Sequence, residues 1–335
     1  MDFMERGARV YLIRKLFQPE IFQGKYKRRH YFEGWYFKLI SQHREHSLAV
    51  IPGISLGSTE EDRHAFIQLI DGSTCQVDYF RYDISDFGFD EHRFWIKIGD
   101  SVFSDKEMTL HIDQEGRKVD GQVTFSRVKK LERSLACPGI MGPFGFLPFM
   151  ECYHGIVNAH HELTGHLMQD GATWDFSGGY GYVEKDWGRS FPEAWFWLQC
   201  NHFDSPDVSL MLSVAKIPFL GQHFMGLISF LRVGDKEYRF ATYTGAKLSH
   251  FAYEDGVLTS IVEDKKMRLQ VVAEHSQAGL LQAPKNGMMT GHVYESIGAT
   301  VQVRLADFQG NVLFEGGGIQ AGMEIVDAIL PLLSA

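Results

Sequence analysis

The sequence predicts an all-β protein made of two antiparallel units, each a barrel or sandwich, with few short helices. Three observations predict this fold. Short runs of β-branched and aromatic residues recur along most of the chain, and Gly, Asp, Ser or Asn separate most of them. Aromatic residues make up 13% of the chain and include 26 Phe, a share that favours strands. At 335 residues the chain is long enough for two domains.

The first predicted element is a short amphipathic helix over Phe3–Phe17, which ends near Pro19. Strand-like runs follow from Tyr31 onward. In the first half these runs are Tyr31–Ile40, Ser47–Ile51, His64–Ile70, Cys75–Arg81, Arg93–Ile98, Met108–Ile112 and Gly121–Phe125. Their number and spacing over about 100 residues are typical of a sandwich or barrel. They define a predicted N-terminal domain over residues 1–134.

The amino-acid composition changes at Leu135–Phe149, which has three Pro and three Gly among apolar residues and almost no charge. Three prolines exclude a regular helix or a central strand. Flexible linkers are polar, unlike this segment. We therefore predict a connector over residues 135–150 that is buried between two β domains, with a membrane-dipping loop as the alternative.

The β pattern resumes after the connector and defines a predicted C-terminal domain over residues 151–335. The predicted strands are His154–His160, Glu162–Met168, Gly179–Glu184, Ala194–Phe203, Ser209–Ala215, Met225–Val233, Lys236–Tyr243, Met267–Glu274, Met288–Ser296, Ala299–Asp307 and Asn311–Gly316. The last segment, Met323–Leu333, has apolar residues at helical spacing and is predicted to cap one end of a barrel.

Charge and composition limit the classes of function. The formal charge of −9 argues against wholesale binding of nucleic acid. The four cysteines are isolated, no signal peptide is visible, and no run approaches the roughly 18 apolar residues of a membrane span, so we expect a cytoplasmic protein. Residues 1–38 nevertheless hold nine Lys/Arg against four Asp/Glu. The basic run Lys25–His30 leaves peripheral contact with anionic lipid open, although a solvated entry to the first strand is the preferred interpretation.

The segment Trp174–Phe203 contains four of the six Trp residues and is the strongest indication of a binding site. Period-two alternation places four of its residues on one strand face: Trp195, Trp197, Gln199 and Asn201. A face that carries large rings beside amides is typical of a ligand cavity. The alternative is a core strand whose amides bond to the backbone.

Two acidic positions and one histidine are candidate catalytic groups. Glu33 lies among aromatics, where a carboxyl group resists ionisation and can donate a proton. Asp186 shares a strand face with Glu184, and such a pair can divide acid and base roles. For Glu33 the alternative is a structural carboxylate bonded to backbone N–H or paired with Lys38 or an Arg; for Asp186 it is a turn residue. His154 is the reserve proton donor.

No cofactor or metal is predicted. The glycine-rich run near Gly178 lacks the spacing of a dinucleotide-binding loop. Even spacing would let His154, His160 and His166 share a strand face, but no carboxylate cluster lies nearby in the sequence.

Several segments resemble the tocopherol cyclase family, and they occur in order across nearly the whole chain. They are Tyr31–Lys38 (YFEGWYFK), Gly142–His154 (GPFGFLPFMECYH), Gly178–Pro192 (GGYGYVEKDWGRSFP), Trp195–Phe203 (WFWLQCNHF), Phe240–Thr244 (FATYT) and Gly291–Ser296 (GHVYES). The resemblance implies two lipocalin-like β-barrel domains and a cofactor-free isomerase that closes a prenylated quinol to a chromanol. In this reaction an acid protonates the prenyl double bond and the phenolic oxygen attacks the resulting cation, which aromatic rings stabilise in a dry cavity.

On this interpretation Glu33 or Asp186 is the acid. The predicted substrate contacts are Trp35, Tyr36, Glu184, Trp187, Trp195, Trp197, Gln199 and Asn201. The plant members carry a plastid transit peptide and nothing like one is visible here, so we expect a compact bacterial relative with a hydrophobic small-molecule substrate. The alternatives are a non-catalytic binder of lipids or quinones and an isoprenoid hydratase on the same fold. The sequence does not fix the oligomeric state.

Overall fold

The computed structural model describes residues 3–333, with side chains described from Val10 onward. In this range the chain folds into two compact units, and its strands form two mostly antiparallel sheets. Unit 1 contains the chain up to Leu69, Asp78–Phe191 and Gln282–Gly291. Unit 2 contains Ile70–Val77, Pro192–Leu281 and the chain from His292 onward. The predicted all-β class with two antiparallel, lipocalin-like units is confirmed.

Twelve strands form the sheet of unit 1, in the order β4-β3-β2-β1-β12-β10-β9-β8-β7-β6-β5, with β11 paired to β10. Their bounds are β1 Tyr31–Ile40, β2 Ser47–Leu56, β3 His64–Asp71, β4 Val77–Asp83, β5 Phe87–Phe89, β6 Trp95–Ile98, β7 Ser101–Ser104, β8 Glu107–Gln114, β9 Arg117–Lys129, β10 Cys152–Gln169, β11 Ala172–Asp175 and β12 Tyr180–Gly188. The helix α1, Phe3–Phe17, precedes them, as predicted. One face of the sheet carries a continuous apolar core.

Ten strands form the sheet of unit 2, in the order β16-β15-β14-β13-β22-β21-β19-β18-β17, with β20 paired to β21. Their bounds are β13 Trp195–Cys200, β14 Val208–Phe219, β15 Gln222–Val233, β16 Lys236–Ala241, β17 Lys247–Glu254, β18 Val257–Glu263, β19 Met267–Glu274, β20 Gly279–Lys285, β21 Met288–Asp307 and β22 Val312–Ile325. The predicted C-terminal helix is shorter than expected, because Met323 still belongs to β22 and the helix α2 spans only Leu330–Leu333.

The division between the units differs from the predicted boundary at residues 135–150. Strands β10 and β12 belong to unit 1, where β12 pairs with both β1 and β10. The segment Leu135–Phe149 therefore joins two strands of one sheet. It is also not buried throughout, since Leu135 is 83% exposed. Pairing between strands far apart in sequence decided this division, and local composition carries no signal of it.

Three 3-10 turns lie between the strands, at Ile84–Asp86, Gly142–Phe146 and Thr242–Thr244, and a fourth at Asp327–Ile329 precedes α2. In the part of the chain that the structure describes, neither helix has the length and apolar character needed to traverse a lipid bilayer.

Candidate active site

Three neighbouring strands of unit 1 position the predicted catalytic residues. Glu33 on β1 lies opposite Trp187 on β12, and Asp186 on β12 lies opposite His154 on β10. Side chains alternate along a strand, so β12 divides its motif between two faces. These faces carry Val183, Lys185 and Trp187 on one side and Tyr182, Glu184 and Asp186 on the other. Val183 belongs to the apolar core, so the Lys185 face is the interior one.

Glu33 lies on the interior face in a closed ion pair. Its side chain is fully buried, and one oxygen lies 2.5 Å from Nζ of Lys185. The backbone N–H of Gln23 donates to the two carboxylate oxygens at 2.8 and 3.0 Å, and the hydroxyl of Tyr31 donates at 2.5 Å. This polar setting differs from the apolar one that the sequence predicted. It matches the structural alternative, with Lys185 in place of Lys38 or an Arg as the partner.

Lys185 completes this buried polar cluster between two tryptophan rings. Its ammonium lies 4.7 Å from the ring centroid of Trp35 and 4.8 Å from that of Trp187. It donates to the backbone carbonyls of Pro19 at 2.8 Å and Ile21 at 2.5 Å. Desolvation lowers the pKa of Lys185 to about 8, and the neighbouring Glu33 carboxylate offsets only part of this effect. The rings of Trp35 and Trp187, which were predicted to contact substrate, are thus in contact with the Lys185 side chain of the protein itself.

The opposite face of the same strands carries a second cluster, centred on His154. Nδ1 of the imidazole lies 2.9 Å from Asp186, and Nε2 lies 3.4 Å from Glu184. The hydroxyl of Tyr182 donates to Glu184 at 2.6 Å. The side chains of His154 and Asp186 are 13% and 22% exposed, so both retain contact with solvent.

The charge state of this second cluster follows from its geometry. Burial by itself lowers the pKa of His154, but the carboxylates of Asp186 and Glu184 together outweigh burial and hold the pKa well above its ordinary value. Burial and the adjacent Glu184 raise the pKa of Tyr182 well above its ordinary value. The raised pKa of His154 favours the imidazolium form beside Asp186 and Glu184, and the raised pKa of Tyr182 favours the neutral phenol. Tyr36 lies opposite Glu184 in the β1–β12 register and is 8% exposed.

His154, Glu184 and Asp186 could also hold a metal ion. Each presents one ligand atom, and these atoms lie within 4.8 Å of one another; no other group of this kind is found among the described residues. The sequence analysis weighed a different set of metal ligands, namely His154, His160 and His166. In the structure His160 is buried and His166 is exposed, whereas the carboxylates that the sequence analysis did not find near His154 come from β12.

The remaining predicted contacts lie in unit 2, with Trp195, Trp197 and Gln199 on β13 and Asn201 just after its end. Trp197, Gln199 and Asn201 are buried, although the alternate residues of the strand supply the apolar core of that unit. The indole N–H of Trp195 donates to Glu324 at 2.7 Å, and the amide N–H of Gln199 lies 3.4 Å from the side-chain oxygen of Asn201. Trp195, Trp197 and Gln199 thus share one strand face, whereas the strand ends at Cys200 and not at the predicted Phe203, which leaves Asn201 outside it.

The structure separates the candidates into three groups: Glu33, Trp35 and Trp187 on the interior face of unit 1; His154, Glu184, Asp186 and Tyr36 on its other face; and Trp195, Trp197, Gln199 and Asn201 in unit 2. Sequence analysis did not identify Lys185 or Tyr182 as members of the clusters. Strict alternation along β12 was the available signal, because it places Lys185 beside Trp187 and Tyr182 beside Glu184.

One protein family matches a large part of the chain. The family described as "Tocopherol cyclase-like" matches residues 117–326, which is well over half of the chain and includes the whole of β10 and β12. The chain belongs to this family. The match contains His154, Glu184, Lys185 and Asp186 but begins after Glu33.

Two curated relatives and one solved structure give further context. The maize (Zea mays) tocopherol cyclase, chloroplastic, is 34% identical over 83 residues, which are 25% of this chain and 17% of the relative. The probable tocopherol cyclase, chloroplastic, of rice (Oryza sativa subsp. japonica) is 37% identical over 68 residues, 20% of this chain and 14% of the relative. The crystal structure of CghA with Sch210972 superposes with a TM-score of 0.55 at 13% identity, covering 88% of each chain. That similarity concerns the fold alone.

Proposed function

We propose that this member of the tocopherol cyclase-like family is an enzyme that modifies an isoprenoid-bearing small molecule by proton transfer, with ring closure of a prenylated quinol as its reaction. The observation that carries the proposal is the contact of His154 with both Asp186 and Glu184 on a partly exposed strand face. A protonated imidazole held by two carboxylates is a proton donor that remains charged at neutral pH.

The reaction conserves atoms and charge. The imidazolium of His154, in contact with Asp186, delivers its proton to the less substituted carbon of the prenyl double bond, and a tertiary carbocation forms at the other carbon. The phenolic oxygen of the quinol attacks this carbocation and closes the ring. The phenolic proton then returns to the His154–Asp186 pair, so the cluster ends as it began. Tyr36 lies on the same face of the sheet as Glu184 and is 8% exposed, so its ring would supply the electron density that stabilises a carbocation.

Glu33 has a structural role in this proposal. Its two oxygens already accept four donations, from Gln23, Tyr31 and Lys185, and the carboxylate is fully buried. A proton donor must reach the reacting atoms of a substrate. We therefore assign proton donation to the His154 cluster and fold stabilisation to the Glu33 pair, while substrate contact by Trp195, Trp197, Gln199 and Asn201 stays a prediction.

The test uses a geranylgeranylated hydroquinone as substrate, with chromanol formation followed by mass spectrometry. His154→Gln and Asp186→Asn should each lower turnover by about 10² to 10⁴-fold, the usual contribution of a general acid. In D₂O the wild-type product should carry one carbon-bound deuterium. Asp120→Asn is the matched control, because Asp120 forms an exposed pair with His111 in the same sheet, and its turnover should equal that of the wild type.

Unchanged turnover in both His154→Gln and Asp186→Asn would overturn the assignment. A specific observation favours the binder as a second candidate: Glu33, one of the two acids that the sequence analysis proposed, is closed in an ion pair. Retention of the quinol by the wild-type protein without any product would identify a binder. A product that is heavier by one water would identify a hydratase.

A further inference from the structure

The outward face of the last two turns of helix α1, in unit 1, is apolar. Successive helix positions differ by about 100°, so the apolar residues of the last two turns cover an arc of roughly 160°. Their exposed fractions are Val10 52%, Leu12 43%, Ile13 61%, Leu16 38% and Phe17 37%. Exposed apolar residues are ordinary when scattered, but a contiguous patch of this kind marks an interaction surface.

The side of the helix that packs against unit 1 is held by polar contacts. Tyr11 is only 2% exposed, and its hydroxyl donates to the carbonyl of Phe22. The guanidinium of Arg14 donates to the carbonyl of Glu91 at 3.1 Å. These contacts fix the rotation of the helix about its axis, so that the apolar arc faces outward.

The Pro/Gly-rich segment between β9 and β10 extends the apolar face. The ring of Phe146 contacts that of Phe17, with centroids 5.8 Å apart. In the same segment Leu135 and Phe149 are 83% and 55% exposed. The segment adjoins the end of α1, since Arg133 bonds to Glu20 at 2.9 Å. We call the exposed apolar residues of α1 from Val10 to Phe17, together with Leu135–Phe149, the apolar face.

Positive charge is concentrated in the segment that follows α1, although the whole chain has a formal charge of −9 and Lys25 is paired with Glu91. Residues 10–30 contain six Lys/Arg and one acidic residue, Glu20, which is paired with Arg133. The side chains of Lys27, Arg28 and Arg29 are exposed, and Tyr26, 50% exposed among them, packs on Tyr11 of the helix. An apolar helix face with an exposed basic segment packed on the same helix complements a bilayer, whose acyl region accepts the apolar side chains and whose anionic headgroups attract the cations.

We propose that the apolar face of unit 1 docks on the surface of a lipid bilayer that carries anionic headgroups. The observations carry this partner further than a second copy of the chain, because two copies would bring like positive charge together. The inference is independent of the proposed reaction, since none of its residues belongs to the His154 cluster. It gives a physical role to the basic N-terminal segment and to the proline-rich segment.

Vesicle flotation of the full chain tests the docking surface. The protein should float with vesicles of phosphatidylcholine and phosphatidylglycerol, and much less with phosphatidylcholine alone. Ile13→Asp should weaken vesicle binding about thirtyfold, because a side chain that the bilayer would bury becomes charged. Replacement of Arg28 or Arg29 by Ala should weaken it about fivefold each on the anionic vesicles. Leu220→Asp is the matched control, since Leu220 is an 80% exposed apolar residue of unit 2, and its binding should equal that of the wild type.

All these side chains are exposed, so their substitution should leave the thermal unfolding midpoint within a few degrees of the wild type. Equal binding by the wild type and by Ile13→Asp would overturn the proposal, as would failure of the wild type to float with either vesicle. Light scattering at the same concentrations adds a further outcome: a dimer that Ile13→Asp dissociates, without vesicle binding, would assign the face to a second copy and refute the lipid partner.

Discussion

Replacement of Lys185 by Met tests whether the Glu33–Lys185 pair holds unit 1 together. Lys185→Met removes three donated hydrogen bonds, to Glu33, Pro19 and Ile21, and leaves a fully buried carboxylate without its counter-charge. It also removes the cation that lies between two indole rings. Loss of one partner of a buried pair costs about 3–5 kcal/mol of unfolding free energy, because the remaining charge stays buried.

Glu33→Gln should cost about 3 kcal/mol, since the amide keeps the shape but loses the ion pair. The double variant Glu33→Gln/Lys185→Met should cost less than the sum of the two single variants by about 2 kcal/mol, because the second change removes the charge that the first left unpaired. Glu60→Gln is the control: its exposed pair with Arg63 is also in unit 1 and should contribute under about 1 kcal/mol.

Urea denaturation measures the loss of unfolding free energy in each variant. Hydrogen exchange of peptides from β1 and β12 shows whether the loss is local to the strands that carry Glu33 and Lys185. A cost below about 1 kcal/mol for Lys185→Met, or strict additivity in the double variant, would refute a stabilising role for the pair. Turnover per folded molecule separates this role from catalysis. It should persist in Glu33→Gln, whereas its complete loss in a folded variant would restore Glu33 as the acid.

Three further predictions concern the second cluster and the core of unit 1. The pKa of His154 is raised in the folded state, so its protonation stabilises the fold fully below pH about 6.5, and this contribution is lost as the pH rises through the raised pKa. An NMR titration should show that Asp186→Asn lowers the pKa of His154. A pKa at or below 6.5 in the wild type would contradict the cluster geometry. Burial lowers the pKa of His161 to about 3, so stability should fall as pH drops below about 6.5, and His161→Leu should flatten that slope in denaturation curves; an unchanged slope would disagree. A Cβ at residue 181 would lie 2.3 Å from the His161 ring, so Gly181→Ala should cost about 1–3 kcal/mol in urea denaturation, whereas Gly88→Ala, whose nearest neighbour would be at 3.7 Å, should change stability by under about 0.5 kcal/mol; equal costs would show that the ring moves freely.

Local sequence patterns predicted the strands because a strand is specified by neighbouring residues. Alternation along Trp195–Cys200 predicted which side chains share a face, and the turn residues predicted many of the strand limits. The motif around Glu184 and Asp186 was correctly predicted to put both carboxylates on one face of a strand. The order of the motifs along the chain also predicted the family, which the match over residues 117–326 confirms.

The partners of the candidate residues could not be predicted in the same way. Glu33 has Lys185 as its counter-charge, not the nearer Lys38 that the sequence analysis named, because β1 pairs with β12. His154 meets Asp186 and Glu184 because β10 pairs with the other edge of β12. A shift of one residue in either register would move every side chain to the opposite face, and nothing in a local window fixes that register.

The sequence by itself determined the class of the fold, the strand faces and the family, because alternation and turn chemistry act between residues that are close along the chain. Tertiary structure alone decided that β10 and β12 belong to unit 1, that Glu33 is closed in an ion pair and that His154 lies between two carboxylates. These outcomes depend on hydrogen-bonded pairing between strands that are distant in sequence, and the free energy of such pairing resides in contacts that the chain acquires only when it folds.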